Sequence, residues 1–203
     1  MTGAREAPAI AVERLTGPAI APALDDVARL RIKVFADYPY LYDGTLAYER
    51  TYLEALARAD RAVLVVARDG DRIVGASTGL PMAAEHEEFQ APWRAHGYDP
   101  ARIFYFAESV LEPAYRGLGL GHAFFDEREA HARSFGAYDI ACFCAVVRPD
   151  DHPLKPHGYR TLNPFWENRG YRPVPGLEAR YTWRDKGEDR DTEKPLQFWM
   201  TSL

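Results

Sequence analysis

The sequence predicts a single mixed α/β domain over residues 1–203, a central twisted sheet of about seven strands flanked by helices. Three observations lead there. Short apolar and β-branched runs alternate along the chain with longer segments whose apolar residues recur at helical spacing. Turn signals separate them, among them Asp69-Gly70-Asp71 and the glycines at 117, 119 and 121. No linker, low-complexity tract or internal repeat divides the 203 residues, a length suited to one domain with insertions and long enough for a core without disulfide or metal staples.

Residues 9–15 alternate weakly and read as the first strand. Pro22, Asp25 and Asp26 start a helix along which Val27, Leu30 and Val34 recur, and Tyr38-Pro39-Tyr40 breaks it. A second helix covers residues 45–59, with Leu46, Leu53 and Leu56 on one side. Residues 62–67 (AVLVVA) suit a strand buried on both faces, and the turn at Gly70 hands it to a partner over residues 73–80. Residues 81–102 are polar and irregular, with room for a short helix and a cluster of Glu85, Glu87 and Glu88. Residues 103–111 (IFYFAESVL) form another strand, residues 120–135 a helix and residues 138–147 a strand. A Pro- and His-containing loop fills residues 148–162. Asn163 and Pro164 open a short helix as N-cap and N1 residues, and Gly170 closes it at C′. Two strands over residues 178–183 and 196–201, separated by a charged loop, complete the chain.

Composition narrows the function classes. Lys plus Arg is 25 and Asp plus Glu is 30, a net charge of −5 without the basic stripe of a nucleic-acid binder. No apolar run is long enough for a membrane-spanning helix, and Met1 to Pro8 lacks the apolar stretch of a signal peptide. Cys142 and Cys144 at i and i+2 of a strand point the same way, in poor geometry for a bridge, so they read as reduced thiols of a cytoplasmic protein.

The most informative stretch is Tyr115-Arg116-Gly117-Leu118-Gly119-Leu120-Gly121-His122, between a strand and a helix. Helix N-termini carry unpaired N–H groups and the positive dipole end, and glycines let the backbone approach a phosphate, so an anion site is expected. A Walker A loop needs a Lys that is absent, and the dinucleotide fingerprint fails because His122 stands at its third glycine. The pattern that fits is Arg-x-x-Gly-x-Gly, from Arg116 through Gly119 to Gly121. It resembles the pyrophosphate loop of the GNAT superfamily of acyl-CoA-dependent N-acetyltransferases. The run from Glu108 through Pro113 to Gly121 looks like that family's signature, and Phe165-Trp166-Glu167-Asn168-Arg169-Gly170-Tyr171 resembles its second box.

This resemblance covers nearly the whole chain and implies a single-domain acetyltransferase using acetyl-CoA as co-substrate, without a metal. It implies that Ser109, Val110 and Leu111 offer main-chain groups to the pantetheine arm. The amides of Gly117, Leu118, Gly119, Leu120, Gly121 and His122 would hold the pyrophosphate, assisted by Arg116. Glu108 would act as base on the substrate ammonium, because an amine attacks only when neutral. Strand alternation puts Glu108 on the face of Phe106 and Val110, apolar surroundings that favour a raised pKa. The family's usual Tyr proton donor is replaced by Trp166, which leaves Tyr159 and Tyr171 as alternatives, or protonation of the thiolate by solvent or by the amine. Asn163 reads as a helix cap or as a pantetheine ligand. The acceptor is expected to be a small-molecule amine, with protein N-termini or lysines, or a non-catalytic CoA sensor, as the other readings. No nucleic acid or membrane partner is expected, and a homodimer follows only from the family.

Several motifs read as structural. Gly75-Ala76-Ser77-Thr78-Gly79 matches a hydrolase nucleophile elbow but is not followed by a helix, so it reads as a strand whose small residues pack under a neighbour. Asp150, Asp151, His152 and His157 lack zinc-site spacing and fit a loop covering the substrate. Cys142 reads as a small buried hydrophobe, and Glu85, Glu87 and Glu88 as a solvated face.

Overall fold

Apolar alternation along the chain becomes two cores on the two faces of one sheet. The computed structural model describes residues 10–203; Ala9 of the first expected strand and the stretch Met1 to Pro8 lie outside them. In chain order the elements are β1 (Ile10–Thr16), α1 (Leu24–Phe35), α2 (Leu46–Arg58), β2 (Val63–Asp69), β3 (Arg72–Pro81), α3 (Glu87–Ala95), β4 (Ile103–Tyr105), β5 (Ser109–Leu111), α4 (Leu120–Arg133), β6 (Ile140–Val146), α5 (Asn163–Asn168), β7 (Arg172–Trp183) and β8 (Thr192–Ser202). The strands order as β1-β2-β3-β4-β6-β8-β7, and β5 pairs with β3 beyond the end of β4. β4 and β6 run parallel, and the other pairs are antiparallel. This is the mixed α/β architecture expected, with eight strands instead of about seven.

β2 shows how the layers arise. Leu64 and Val66 face one core with Val27 and Leu30 of α1, Leu53 and Leu56 of α2 and Trp93 of α3. Val63, Val65 and Ala67 face the other, with Phe124 and Phe125 of α4. The helix starts follow the capping signals. Asp25 and Asp26 sit in the first turn of α1, where the dipole favours acids. Thr45 caps α2, its hydroxyl accepting from Tyr48 N–H (3.3 Å).

Three boundaries differ from the expectation. The strand over residues 103–111 is two strands, because the chain bulges between Tyr105 and Ser109. The last two strands are longer, since β7 already pairs from Arg172, opposite Met200, and β8 already pairs from Thr192, opposite Trp183. At α5 the cap position is Leu162, already near helical with φ −85° and ψ 0°. Asn163 therefore starts the helix instead of capping it, because side-chain capping needs an extended residue before the first turn.

Gly75 to Gly79 lies within β3, with Ser77 and Thr78 fully buried, and the strand runs on to Pro81 with no sharp turn at Ser77. A Cβ on Gly75 would come within 2.7 Å of Leu111 Cδ1 and 2.9 Å of Phe124 Cζ, and one on Gly79 within 2.8 Å of Phe104 Cε1. The small residues admit the neighbouring strand and α4, as the strand reading requires. Cys142 and Cys144 are unbridged and face the same core. Burial pushes both thiols up, that of Cys144 to about 12. Among the described residues, no helix is long and apolar enough to cross a membrane. We expect Gly75→Val to lower stability by about 2 kcal/mol through overpacking. Urea titration checks this, and an unchanged midpoint would mean that Leu111 and Phe124 move aside freely.

Candidate active site

The site begins where two parallel strands part. β4 follows β6 to the pair Tyr105 and Cys142, and Phe106 N–H still donates to Cys142 O (2.7 Å). Beyond that point β5 pairs with β3 and β6 pairs with β8, and no ladder joins β5 to β6. A one-residue bulge causes this. Ala107 N–H donates to Thr78 O (3.2 Å) while Thr78 N–H donates to Glu108 O (3.1 Å), so two residues oppose one. Glu112 N–H then donates to Val74 O (3.0 Å). By the alternation of an antiparallel ladder, Val110 turns its main-chain groups to β3, and Ser109 and Leu111 turn theirs into the gap.

The bulge also redirects side chains. Phe106 packs in the core under α4, whereas Glu108 points with Val110 to the face of α1 and α2. The expected sharing of one face by Phe106 and Glu108 fails because the extra residue breaks the two-residue period. Arg128 of α4 fills the bulge from the opposite face. It is fully buried, and its Nη1 donates to Thr78 O and Glu108 O, both at 3.2 Å. Its Nη2 donates to Ser109 Oγ (3.0 Å) and its Nε to Phe124 O (3.0 Å). Phe106 and Phe125 lie 4.3 and 4.9 Å from the guanidinium, no carboxylate pairs with it among the described residues, and burial pulls its pKa down to about 10.

After β5 the chain turns through Pro113–Tyr115 into the glycine loop. Gly117 and Gly119 have φ of +80° and +81°, and a Cβ on either would meet nothing within 4 Å. Conformation alone therefore demands glycine there. Gly119 occupies the cap position of α4. Among the described residues no backbone carbonyl accepts from the amides of Gly117, Leu118, Gly119, Leu120 or Gly121, whereas His122 N–H donates to Gly119 O (3.0 Å). The loop thus presents a run of open donors at the positive end of a 14-residue helix. Arg116 and Leu118 are exposed beside it. Gly121 lets α4 approach Phe165, and the His122 ring packs on that phenyl at 4.9 Å.

On the α1 and α2 face lies a cavity of about 360 Å³. Its walls include Arg31 and Phe35 of α1, Glu49 and Tyr52 of α2, Glu85, Phe89 of α3, Tyr105 and Cys144 of the sheet, and Tyr181 and Trp183 of β7. Ala107 and Glu108 of the bulge complete the wall, so the cavity reaches both sides of the gap. Arg31 is its hub. The guanidinium lies 5.1 Å from the Phe35 ring and 4.5 Å from the Tyr52 ring. Its Nη1 is 2.7 Å from Glu108 Oε1, its Nε pairs with Glu49 Oε2, and Tyr52 Oη donates to Glu108 Oε2 (3.1 Å). Glu49 is 0% and Glu108 7% exposed, so one cation serves two buried carboxylates. Among the described residues the half-buried Glu85 carboxylate accepts only from His86 N–H (3.0 Å), and burial pushes its carboxyl up.

The family model for acetyltransferases of the GNAT family matches residues 28–156. The chain belongs to the GNAT acetyltransferase family. It is 33% identical over 94 residues to an uncharacterized N-acetyltransferase of Shouchella clausii (strain KSM-K16), a match covering 43% of this chain and 45% of that relative. The fold is similar to that of a ribosomal-protein-alanine N-acetyltransferase from Brucella melitensis, with a TM-score of 0.61 and 14% identity over 95% of this chain and 99% of that one. It is also similar to an aminoglycoside 6'-N-acetyltransferase complexed with coenzyme A, with a TM-score of 0.59 and 14% identity over 95% and 96%. At such identities these structures show the fold alone.

The residues singled out in the sequence of this member of the family scatter over several environments. Tyr171 is fully buried under α4, on the face opposite the cavity, and its hydroxyl donates to Glu129 Oε1 (3.0 Å). Trp166 packs against Phe143 and Trp199 in the same core. Tyr159 stacks edge-on against Tyr38 (4.7 Å) and does not line the cavity, and Asn163 is exposed. Residues 148–162, expected to cover the substrate, instead lie against Tyr38 through His152 and Tyr159. Arg148 holds that end of the loop down, donating to Pro39 O (2.8 Å) and Tyr40 O (2.7 Å) and pairing with Asp185 (2.6 Å). Asp150 pairs with Lys155 (3.1 Å), and no His, Cys, Asp and Glu group of metal-binding size occurs among the described residues. Glu85, read as part of a solvated face, turns into the cavity while Glu87 pairs with Arg94.

Sequence reasoning missed Arg31, Glu49 and Arg128. A signal existed. Each charge sits on an apolar helix face, Arg31 beside Val27, Leu30 and Val34, Glu49 between Leu46 and Leu53, and Arg128 between Phe124 and Ala132. We expect Arg31→Met to lower stability by about 3–5 kcal/mol at pH 7.5, because it leaves two buried carboxylates without a cation. In that variant the carboxylates bind protons more tightly folded than unfolded, so the deficit shrinks as the pH falls towards 5. Urea titrations at the two pH values test this, and an equal deficit at both would disprove the shared-cation account.

Proposed function

We propose that the chain transfers an acetyl group from acetyl-CoA to a primary amine of a small molecule held in the aromatic cavity. The observation that carries this reading is the gap between β5 and β6, which adjoins the loop of open amides through β5 and meets the cavity at Ala107, Glu108 and Cys144. When bound, acetyl-CoA would supply the acetyl group as a thioester. The open amides of Gly117 to Gly121 fit a pyrophosphate, with Arg116 adding positive charge nearby. His122 contributes less through its amide, which Gly119 O already occupies. On the β5 side of the gap, among the described residues, the free main-chain groups are those of Ser109 and Leu111. We therefore assign to Leu111 or Ser109 the polarisation of the thioester carbonyl, while Val110 is committed to β3.

Glu108 is the carboxylate at the junction of gap and cavity, and we assign it the ammonium proton. Arg31 and Tyr52 fix its orientation. Tyr171 lies in the opposite core and Tyr159 outside the cavity, so solvent is assigned the protonation of the departing thiolate. The cavity's size and aromatic walls favour a small acceptor over a protein segment.

Thiol release from acetyl-CoA over a panel of amines, with calorimetry of acetyl-CoA binding in parallel, tests the reading. Binding with release is expected, and binding without release for any amine would favour a CoA sensor. Glu108→Gln is expected to lower kcat by about 100-fold or more while the acetyl-CoA Kd stays within about threefold. Unchanged turnover across pH would remove Glu108 from the proton path. Gly119→Val, which forces a β-branched residue to positive φ, is expected to weaken acetyl-CoA binding by about tenfold or more. Unaltered binding would mean that the loop is only a turn.

A further inference from the structure

The cavity holds more carboxylates than cations. Asp43, Glu49, Glu85, Glu108 and Asp191 line it against two arginines, Arg31 and Arg184, and one imidazole, that of His86. Asp43 pairs with Arg184 (2.7 Å), and Glu49 and Glu108 share Arg31. Neither Glu85 nor the exposed Asp191 pairs with a lysine or arginine among the described residues. A second observation sharpens the imbalance. Glu49 is fully buried, and its Oε1 has no hydrogen-bond partner among the described residues, while the same carboxylate, with burial, pushes the neighbouring Tyr42 hydroxyl up. Burial pushes the hydroxyls of Tyr52, Tyr105 and Tyr181 up, so these walls are neutral and do not alter the charge count.

Buried negative charge without a counter-ion is unfavourable, and aromatic faces attract ammonium groups. The reacting ammonium answers Glu108 alone, because it gives its proton to that carboxylate before it attacks. A cation that remains charged through the reaction can answer the rest. We propose that the acceptor is a diamine or polyamine, and that Glu85, with the aromatic walls beside it, binds the ammonium that is not acetylated. The inference rests on the acetyl-transfer reading of this cavity. In the overall step one N–H bond of the reacting amine is replaced by an amide bond, the thioester C–S bond breaks, and the amine's proton leaves through Glu108. The second ammonium keeps its proton throughout.

The test compares kcat/KM for diaminopropane, diaminobutane and diaminopentane, each against the monoamine of the same carbon count, by thiol release with acetyl-CoA. At least one diamine is expected to exceed its monoamine by about 30-fold or more. Glu85→Gln is expected to cut that ratio about tenfold, mainly through a higher KM, and Glu85→Asp to retain part of it. Equal kcat/KM for diamines and monoamines would overturn the inference and leave the transferase standing. An undiminished ratio in a folded Glu85→Gln protein would overturn the part given to Glu85. Acetyl-CoA binding without thiol release would end the transferase reading. Calorimetric titration of the same amines into the CoA complex would then decide the inference alone, with diamines binding no tighter than monoamines refuting it.

Discussion

Thr78 hydrogen-bonds to two residues of the neighbouring strand, Ala107 through its carbonyl and Glu108 through its amide, and the rest of the site depends on that bulge. The extra residue separates β4 from β5, ends the pairing with β6 and opens the gap. It also turns Glu108 towards α1 and α2 and leaves the main-chain groups of Ser109 and Leu111 facing the gap. Such a bulge in a buried sheet leaves carbonyl capacity that must be satisfied. Arg128 supplies donors from beneath, with two aromatic rings around its guanidinium in place of a carboxylate. The strand geometry and the helix that carries the glycine loop are therefore joined by one side chain, eight residues into α4.

The second constraint is electrostatic. Arg31 ties α1 to α2 and both to the bulge through Glu49 and Glu108. Buried ion pairs of this kind add little net stability relative to apolar packing, yet losing one partner is costly. The arrangement thus fixes the direction of Glu108 while leaving the cavity short of positive charge. The chain's net charge of −5 is modest, but around the cavity carboxylates outnumber arginines. A ligand that brings its own positive charge completes the site.

The aromatic residues divide between two tasks along the same strands. Phe104 and Phe106 pack with Phe125, Phe143 and Tyr171 in a core that excludes the ligand. Tyr105, one position away, faces the cavity, where its hydroxyl lies 3.0 Å from Cys144 Sγ. Alternation accounts for that division up to Phe106, and the bulge accounts for its change at Glu108.

Much of this was legible in the residues in order. Helix and strand periodicity placed nearly every element, Thr45 and the acids at 25 and 26 marked helix starts, and the glycines at 117 and 119 marked the loop, because these are local properties of backbone conformation and side-chain spacing. The family was legible too, since Arg116, Gly119 and Gly121 form a contiguous pattern. Tertiary structure alone decided the remainder. A bulge is set by the partner strand, so Glu108 could not be assigned its face from alternation. Arg31, Glu49 and Glu108 come from three separate segments, and Glu85 turns inward from a polar stretch that resembles a solvated surface. Tyr171, the last residue of the second box, falls on the far side of the sheet from the cavity. The sequence by itself determined the elements, the loop and the family. Which charged groups meet, and on which face, depended on packing between segments distant in the chain.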